Sequence, residues 1–198
     1  MLNLKVISAV WLLAIGSGGF ALLRYQQTPG GISVAPARWP RESKLTPSAT
    51  LPTLLLFAHP KCPCTRATLG ELASLMVHGA GKVSVNVVFT RPPGMDDVWV
   101  ETDLWRNAAA IPGVVVVRDD LGVEAARFGA TTSGDAMLFA RAGKLLFHGG
   151  ITSGRGHAGA NDGRSAISAL IEDAPTAIRT TLAFGCPLFS AKNADCHR

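Results

Sequence analysis

The residues best suited to chemistry are two cysteines separated by one residue, in His59-Pro60-Lys61-Cys62-Pro63-Cys64-Thr65. Proline is favoured at the first position of a helix, which makes Cys62 the N-cap. The unpaired amides and positive end of a helix dipole favour a thiolate there, and Lys61 and Arg66 add positive charge. Cys62 is therefore the expected nucleophile, Lys61 a group that helps hold its thiolate, and Cys64 the thiol that resolves a mixed disulfide. Within a helix, residues two apart point to nearly opposite sides. The pair is closable only because an N-cap lies outside helical geometry, and then with strain. Strained disulfides are labile, so this one should cycle rather than staple. Without such chemistry, the pair is simply two buried structural thiols.

The same sulfurs suit soft metals, and Cu(I) or Zn is the alternative expectation; otherwise no cofactor is expected. Cys62 and Cys64 would supply two ligands, with His148, His157 or His59 completing a site. Adding Cys186 and Cys196 would give four thiols, at spacings that match no zinc signature. The preferred assignment for Cys186 and Cys196 is a structural disulfide closing a short loop, adding about 2–3 kcal/mol. In the sharper alternative, Cys186 takes a disulfide from Cys62 or Cys64 and relays it outward. Gly154-Arg155-Gly156-His157-Ala158-Gly159 fits a dinucleotide-binding pattern, but no strand follows to complete the βαβ unit. It reads as a glycine-rich loop at a helix start, where Arg155 and backbone amides could hold an anion. No Ser-His-Asp set, zinc-protease motif or carboxylate pair can be assigned.

These residues need a scaffold, and its elements are readable. Thr53 to Ala58 is a continuous apolar run of strand length, and Val83 to Phe89 a second. Pro63 to Val77 carries Leu69, Leu72, Ala73 and Met76 at helical spacing, stopped by Gly79 and Gly81. Trp99 to Ala109 reads as one helix, Val114 to Val117 as a strand, and Glu124 to Phe128 as a short helix. Ala136 to Ala140 and Lys144 to His148 form a hairpin, and Gly163 to Ile171 is a last amphipathic helix. Strands alternating with helices, closed by a hairpin and a helix, predict an α/β sandwich around a mixed sheet.

The chain has 198 residues, 47% hydrophobic and 17% charged, with four cysteines, which excludes a disordered chain and a disulfide-dense scaffold. The net charge of +5 is scattered, so no nucleic-acid partner is expected. Val6 to Leu23 carries no charge and just spans a bilayer core, so residues 1–25 are expected to be an uncleaved signal anchor, a transmembrane helix. Residues 26–50 hold four prolines and no period and read as a flexible tether, holding the domain roughly 25–30 Å from the membrane. Residues 51–175 form the domain proper and 176–198 a cysteine-containing tail.

From Leu51 to about Asp173 the chain resembles the thioredoxin superfamily, in particular its exported, membrane-tethered thiol-disulfide oxidoreductases and their peroxiredoxin-like relatives. The stretches that carry the resemblance are LLLFAHPKCPCTRATLGEL and IPGVVVVRDDLGVEAARFGATTSGDAMLFARAGKLLFHGG. GGITSGRGH with the later FGCPLF resembles a small RedB-like subgroup. The resemblance implies a thioredoxin-like three-layer sandwich and exchange with protein thiols and disulfides, on the periplasmic side of a bacterial inner membrane. It also implies a site role for Gly134, which stands where the family has a cis-proline that packs against the active disulfide. Two departures are visible. Thr65 occupies the place of the family's second cysteine, so Cys-x-x-Cys has become Cys-x-Cys. His59 stands where a peroxidase of the peroxiredoxin kind has Thr or Ser.

Overall fold

The computed structural model describes residues 3–189. Its centre is β1 (Thr53–Ala58), in which every residue is buried. Parallel to it lies β2 (Ser84–Arg91), and parallel to that β3 (Val114–Asp120). On the other side β4 (Asp135–Phe139) and β5 (Leu145–Gly149) run antiparallel, giving the order β3-β2-β1-β4-β5. The helices are α1 (Leu4–Gln26), α2 (Pro63–Gly79), α3 (Asp97–Val100), α4 (Asp103–Ala109), α5 (Val123–Arg127) and α6 (Asp162–Ile171). This is a thioredoxin-like α/β fold with a mixed sheet, preceded by an apolar helix.

The period-two alternation of β1 feeds two separate cores. Leu54, Leu56 and Ala58 meet Leu69, Leu72 and Met76 of α2 and Ile167 of α6. Leu55 and Phe57 face the other way, onto Phe128, Met137 and Phe139. A strand covered on both faces has no need of polar positions, which is why it reads as TLLLFA.

The second core corrects the expectation of a free tether. Residues 27–50 are an ordered strap across that face, with Leu45 buried and Ala35 and Trp39 packed on the cluster. The Trp39 ring meets Phe128 and Phe139 edge-on, each at 5.1 Å between centroids. Backbone bonds fix the path: Val34 N to Gly129 O at 3.3 Å, Trp39 N to Gly143 O at 2.8 Å, and Leu145 N to Ala37 O at 3.0 Å. Ser43 Oγ donates to Glu124 at 2.6 Å, and Ser33 Oγ donates to Asp135. Prolines keep this segment extended, so a few such bonds and one aromatic anchor hold it without a regular ladder.

The predicted helix over 99–109 is two helices. The chain breaks at Glu101–Thr102, where Thr102 Oγ1 donates to Pro60 O at 2.9 Å and braces the turn before Cys62. The N-terminal helix α1 has 23 residues and a mean hydropathy of 2.1, and none of it is buried. At about 35 Å it is long and apolar enough to cross a membrane.

If the strap is part of the fold, Trp39→Ala costs about 2–3 kcal/mol in denaturant unfolding, reduced from a full aromatic deletion because the ring is only part-buried. Ile32→Ala, in the same segment but 91% exposed, stays within about 0.5 kcal/mol.

Candidate active site

At the end of β1 the chain turns through His59, Pro60 and Lys61, and Cys62 N donates to His59 O at 3.1 Å. Cys62 has extended geometry (φ −85°, ψ 118°) at the N-cap of α2, with Pro63 the first helical residue, as the sequence predicts. Cys62 is 1% exposed and Cys64 8%; with Cys186, both stand as thiols.

The Cys62 sulfur is the focus of converging donors. Hydrogen bonding from Cys186 and then from Cys64 holds its titration far below the usual thiol range, against the opposing effect of burial. The Cys186 amide lies 3.4 Å from Cys62 Sγ. Cys64 moves the opposite way: its bond to Cys62, its burial and the neighbouring negative charge push its thiol up, only partly offset by Arg155. Cys62 is thus the thiolate and Cys64 a thiol that serves it.

The loop before β4 forms the facing wall. Ser133 N donates to Cys186 O at 2.8 Å, and Leu188 N to Thr131 O at 2.8 Å. Ser133 Oγ accepts from His59 N at 2.9 Å and shares a 2.8 Å hydrogen bond with Thr65 Oγ1. Gly134, placed by resemblance at the cis-proline position, has φ +101°, and every peptide bond among the described residues is trans. Its N–H donates to Phe57 O at 2.8 Å, and a Cβ would stand 3.3 Å from Thr68 Oγ1. Left-handed geometry and a close neighbour on α2 explain glycine here.

Arg155, from the glycine-rich loop, reaches the same place. Its Nη1 donates to Gly185 O at 2.7 Å, its Nε to Thr28 O at 2.9 Å, and its guanidinium lies 5.2 Å from the Tyr25 ring centroid. Its proximity also lowers the Cys64 titration, against the larger effects that raise it. The far end of that loop is pinned by buried Glu71, which accepts from Gly159 N at 2.6 Å and Asn161 Nδ2 at 3.0 Å and pairs with Arg164 at 2.8 Å. The loop is therefore a brace between α2, the tail and the end of α1.

Other predicted groups lie at varied distances from the sulfur. The Lys61 ammonium sits 4.9 Å from the Trp99 ring centroid. Arg66 pairs with Asp103 of α4. His59 is 2% exposed, and burial lowers its titration, so it is neutral; its Nδ1 accepts from Lys61 N at 3.2 Å, and its Nε2 has no partner. His148 pairs with Met137, which places it on the sheet face opposite α2, and His157 is exposed on the loop. The imagined ligand set Cys62, Cys64, His148 and His157 does not converge. Among the described residues no group of three or more His, Cys, Asp or Glu side chains is arranged to hold a metal ion. Cys196 lies outside the described residues, as does its pairing with Cys186.

No protein-family model matches the chain, and no curated protein matches it. Among solved structures, a hypothetical protein from Sinorhizobium meliloti superposes with a TM-score of 0.57 at 20% identity, covering 83% of this chain and 96% of that one. An uncharacterized conserved protein from Geobacillus kaustophilus gives 0.56 at 17% identity, over 83% and 94%. A secreted disulfide oxidoreductase from Mycobacterium tuberculosis gives 0.43 at 17% identity, over 62% and 81%. The first two likenesses concern the fold.

The depressed Cys62 titration has a measurable sign. In the reduced full chain, one thiolate should persist in ultraviolet absorbance at about pH 5, well below the ordinary thiol value near 8.5, and vanish in Cys62→Ser. Its stabilising contribution is full above the unfolded thiol's value and is lost as pH falls through the folded one. Reduced wild type should therefore gain stability from acid toward neutral pH more steeply than Cys62→Ser.

Proposed function

We propose that this chain is a membrane-anchored thiol-disulfide oxidoreductase in which Cys62 attacks. The observation that carries it is the buried sulfur at the α2 N-cap, with thiol donors from Cys64 and Cys186 and an amide at 3.4 Å. A sulfur so stabilised as thiolate is an efficient leaving group at neutral pH. Stabilising the reduced form also makes a disulfide at Cys62 easier to reduce, so the site favours passing disulfides to partners over reducing them. The partners are protein thiols and disulfides. With α1 as anchor, the domain belongs on the oxidising, periplasmic side of a bacterial inner membrane, since a labile disulfide needs a compartment that re-forms it.

The test uses the full chain in detergent, reduced, with chelator present, and follows exchange with a model disulfide-bonded protein and with glutathione. Wild type should exchange reversibly, and Cys62→Ser should lose at least about a thousandfold in rate. Equal rates in the two would sink this function.

A further inference from the structure

Cys186 is 124 residues from Cys62 in sequence, yet its backbone amide is at the sulfur. The segment around it is not a loose end. Residues 179–181 line the open edge of β5, with His148 N donating to Arg179 O at 3.0 Å and Thr181 N to His148 O at 3.2 Å. The chain then crosses to the 131–133 loop and pairs with it as a short antiparallel strand, through the Thr132–Pro187 bridge and the bonds of Ser133 and Leu188. Both flanks are fastened: Arg155 holds Gly185 O, and Leu188 is buried in the second core. Gly185 passes so close that a Cβ would come within 1.9 Å of Ser133 O. An extended peptide added by backbone bonds beside a reactive group is the geometry of a bound peptide substrate. Here the peptide is part of the same chain, and it sets the Cys186 amide 3.4 Å from the Cys62 sulfur, with a thiol on the same residue.

We infer that residues 184–188 are a built-in substrate strand, that Cys186 is the resolving thiol, and that the internal disulfide of this site is Cys62–Cys186. This rests on the exchange function proposed above. Cys64 is the poorer resolver on geometric grounds: it lies inside the first turn of α2, so bonding it to Cys62 must deform that turn. Cys186 approaches from a separate strand and shares no helix with Cys62.

The reaction balances with an incoming disulfide RSSR′ as oxidant. The Cys62 thiolate attacks one sulfur, forming Cys62–S–S–R and breaking the S–S bond, and R′S⁻ leaves. Cys186 then gives its proton to R′S⁻ and attacks Cys62 Sγ, forming Cys62–S–S–Cys186 and expelling RS⁻. Two electrons pass from the two cysteines to RSSR′. In the reverse direction a dithiol partner attacks the same bond and takes the disulfide away.

The experiment uses the full chain in detergent with chelator. The reduced protein is exposed to oxidised glutathione, quenched by alkylation at intervals, and mapped by peptide mass spectrometry. Wild type and Cys64→Ser should both give the Cys62–Cys186 crosslink. In Cys186→Ser the Cys62–glutathione adduct should persist at least about tenfold longer than in wild type, because the intramolecular attacker is gone. Gly185→Ala keeps every sulfur but pushes the strand off Ser133 O; it should lose the crosslink and alkylate faster at Cys62. A Cys62–Cys64 crosslink that survives in Cys186→Ser, or oxidation that joins Cys186 only to Cys196, would overturn the inference. The Cys64→Ser/Cys186→Ser double variant separates the two levels: a glutathione adduct at Cys62 there upholds exchange chemistry whatever Cys186 does, and no adduct removes the exchange function and the inference together.

Discussion

A sulfur anion kept out of water must find donors within hydrogen-bonding reach, because burying an unpaired charge costs several kcal/mol or more. Cys62, 1% exposed, imposes that demand on everything near it. The α2 N-terminus gives the Cys62 side chain no cap hydrogen bond, so the helix alone does not satisfy the sulfur. The supply comes from Cys64 and from the Cys186 segment, and the segment stays in place only because Ser133, Thr131 and Arg155 hold its backbone. Ser133 in turn is fixed by His59 N and Thr65, which belong to the turn and helix that carry Cys62. The donors and their supports thus form one closed network, in which a hydroxyl on the 131–134 loop acts on a sulfur it does not touch.

The N-terminal half of that network was legible in the sequence. The strand-turn-helix around Cys62, its N-cap position and Pro63 as first helical residue all follow from local rules, and the structure has them. Local rules also place the hairpin and the last helix within a residue or two. What escaped was non-local. Trp39 sits among prolines with no period around it, so nothing nearby reveals that it is a core residue for Phe128 and Phe139. Cys186 pairs with a loop more than fifty positions earlier through a two-residue bridge, too short to leave an alternating pattern. Cys186 itself suggests an exchange with Cys62 or Cys64, but its docking on the 131–133 loop leaves no pattern, and Arg155 between glycines reads only as a cation that could hold an anion.

Arg155 also relates the site to the apolar helix. Its amide bonds Gln26 O at 2.9 Å, at the last residue of α1, while its side chain bonds Gly185 O beside Cys186. One residue therefore links the end of α1 to the strand that carries Cys186. The spacer that prolines and glycines suggested is folded back against the domain, which places the thiols close to the end of the apolar helix.

The second core draws on both extremities of the fold: Trp39 and Leu45 come before β1, and Leu188 comes after every other element. Contacts of such sequence separation form late, because the whole intervening chain must be collapsed before they are rewarded. During synthesis, the face of β1 that carries Leu55 and Phe57 stays incompletely covered until residue 188 has emerged. Its thiols therefore pass through a stage in which the first core can form while the sulfur still lacks its outer donors. Completion of the Cys62 surroundings is in this sense a late event of folding, set by the emergence of residues 186–188.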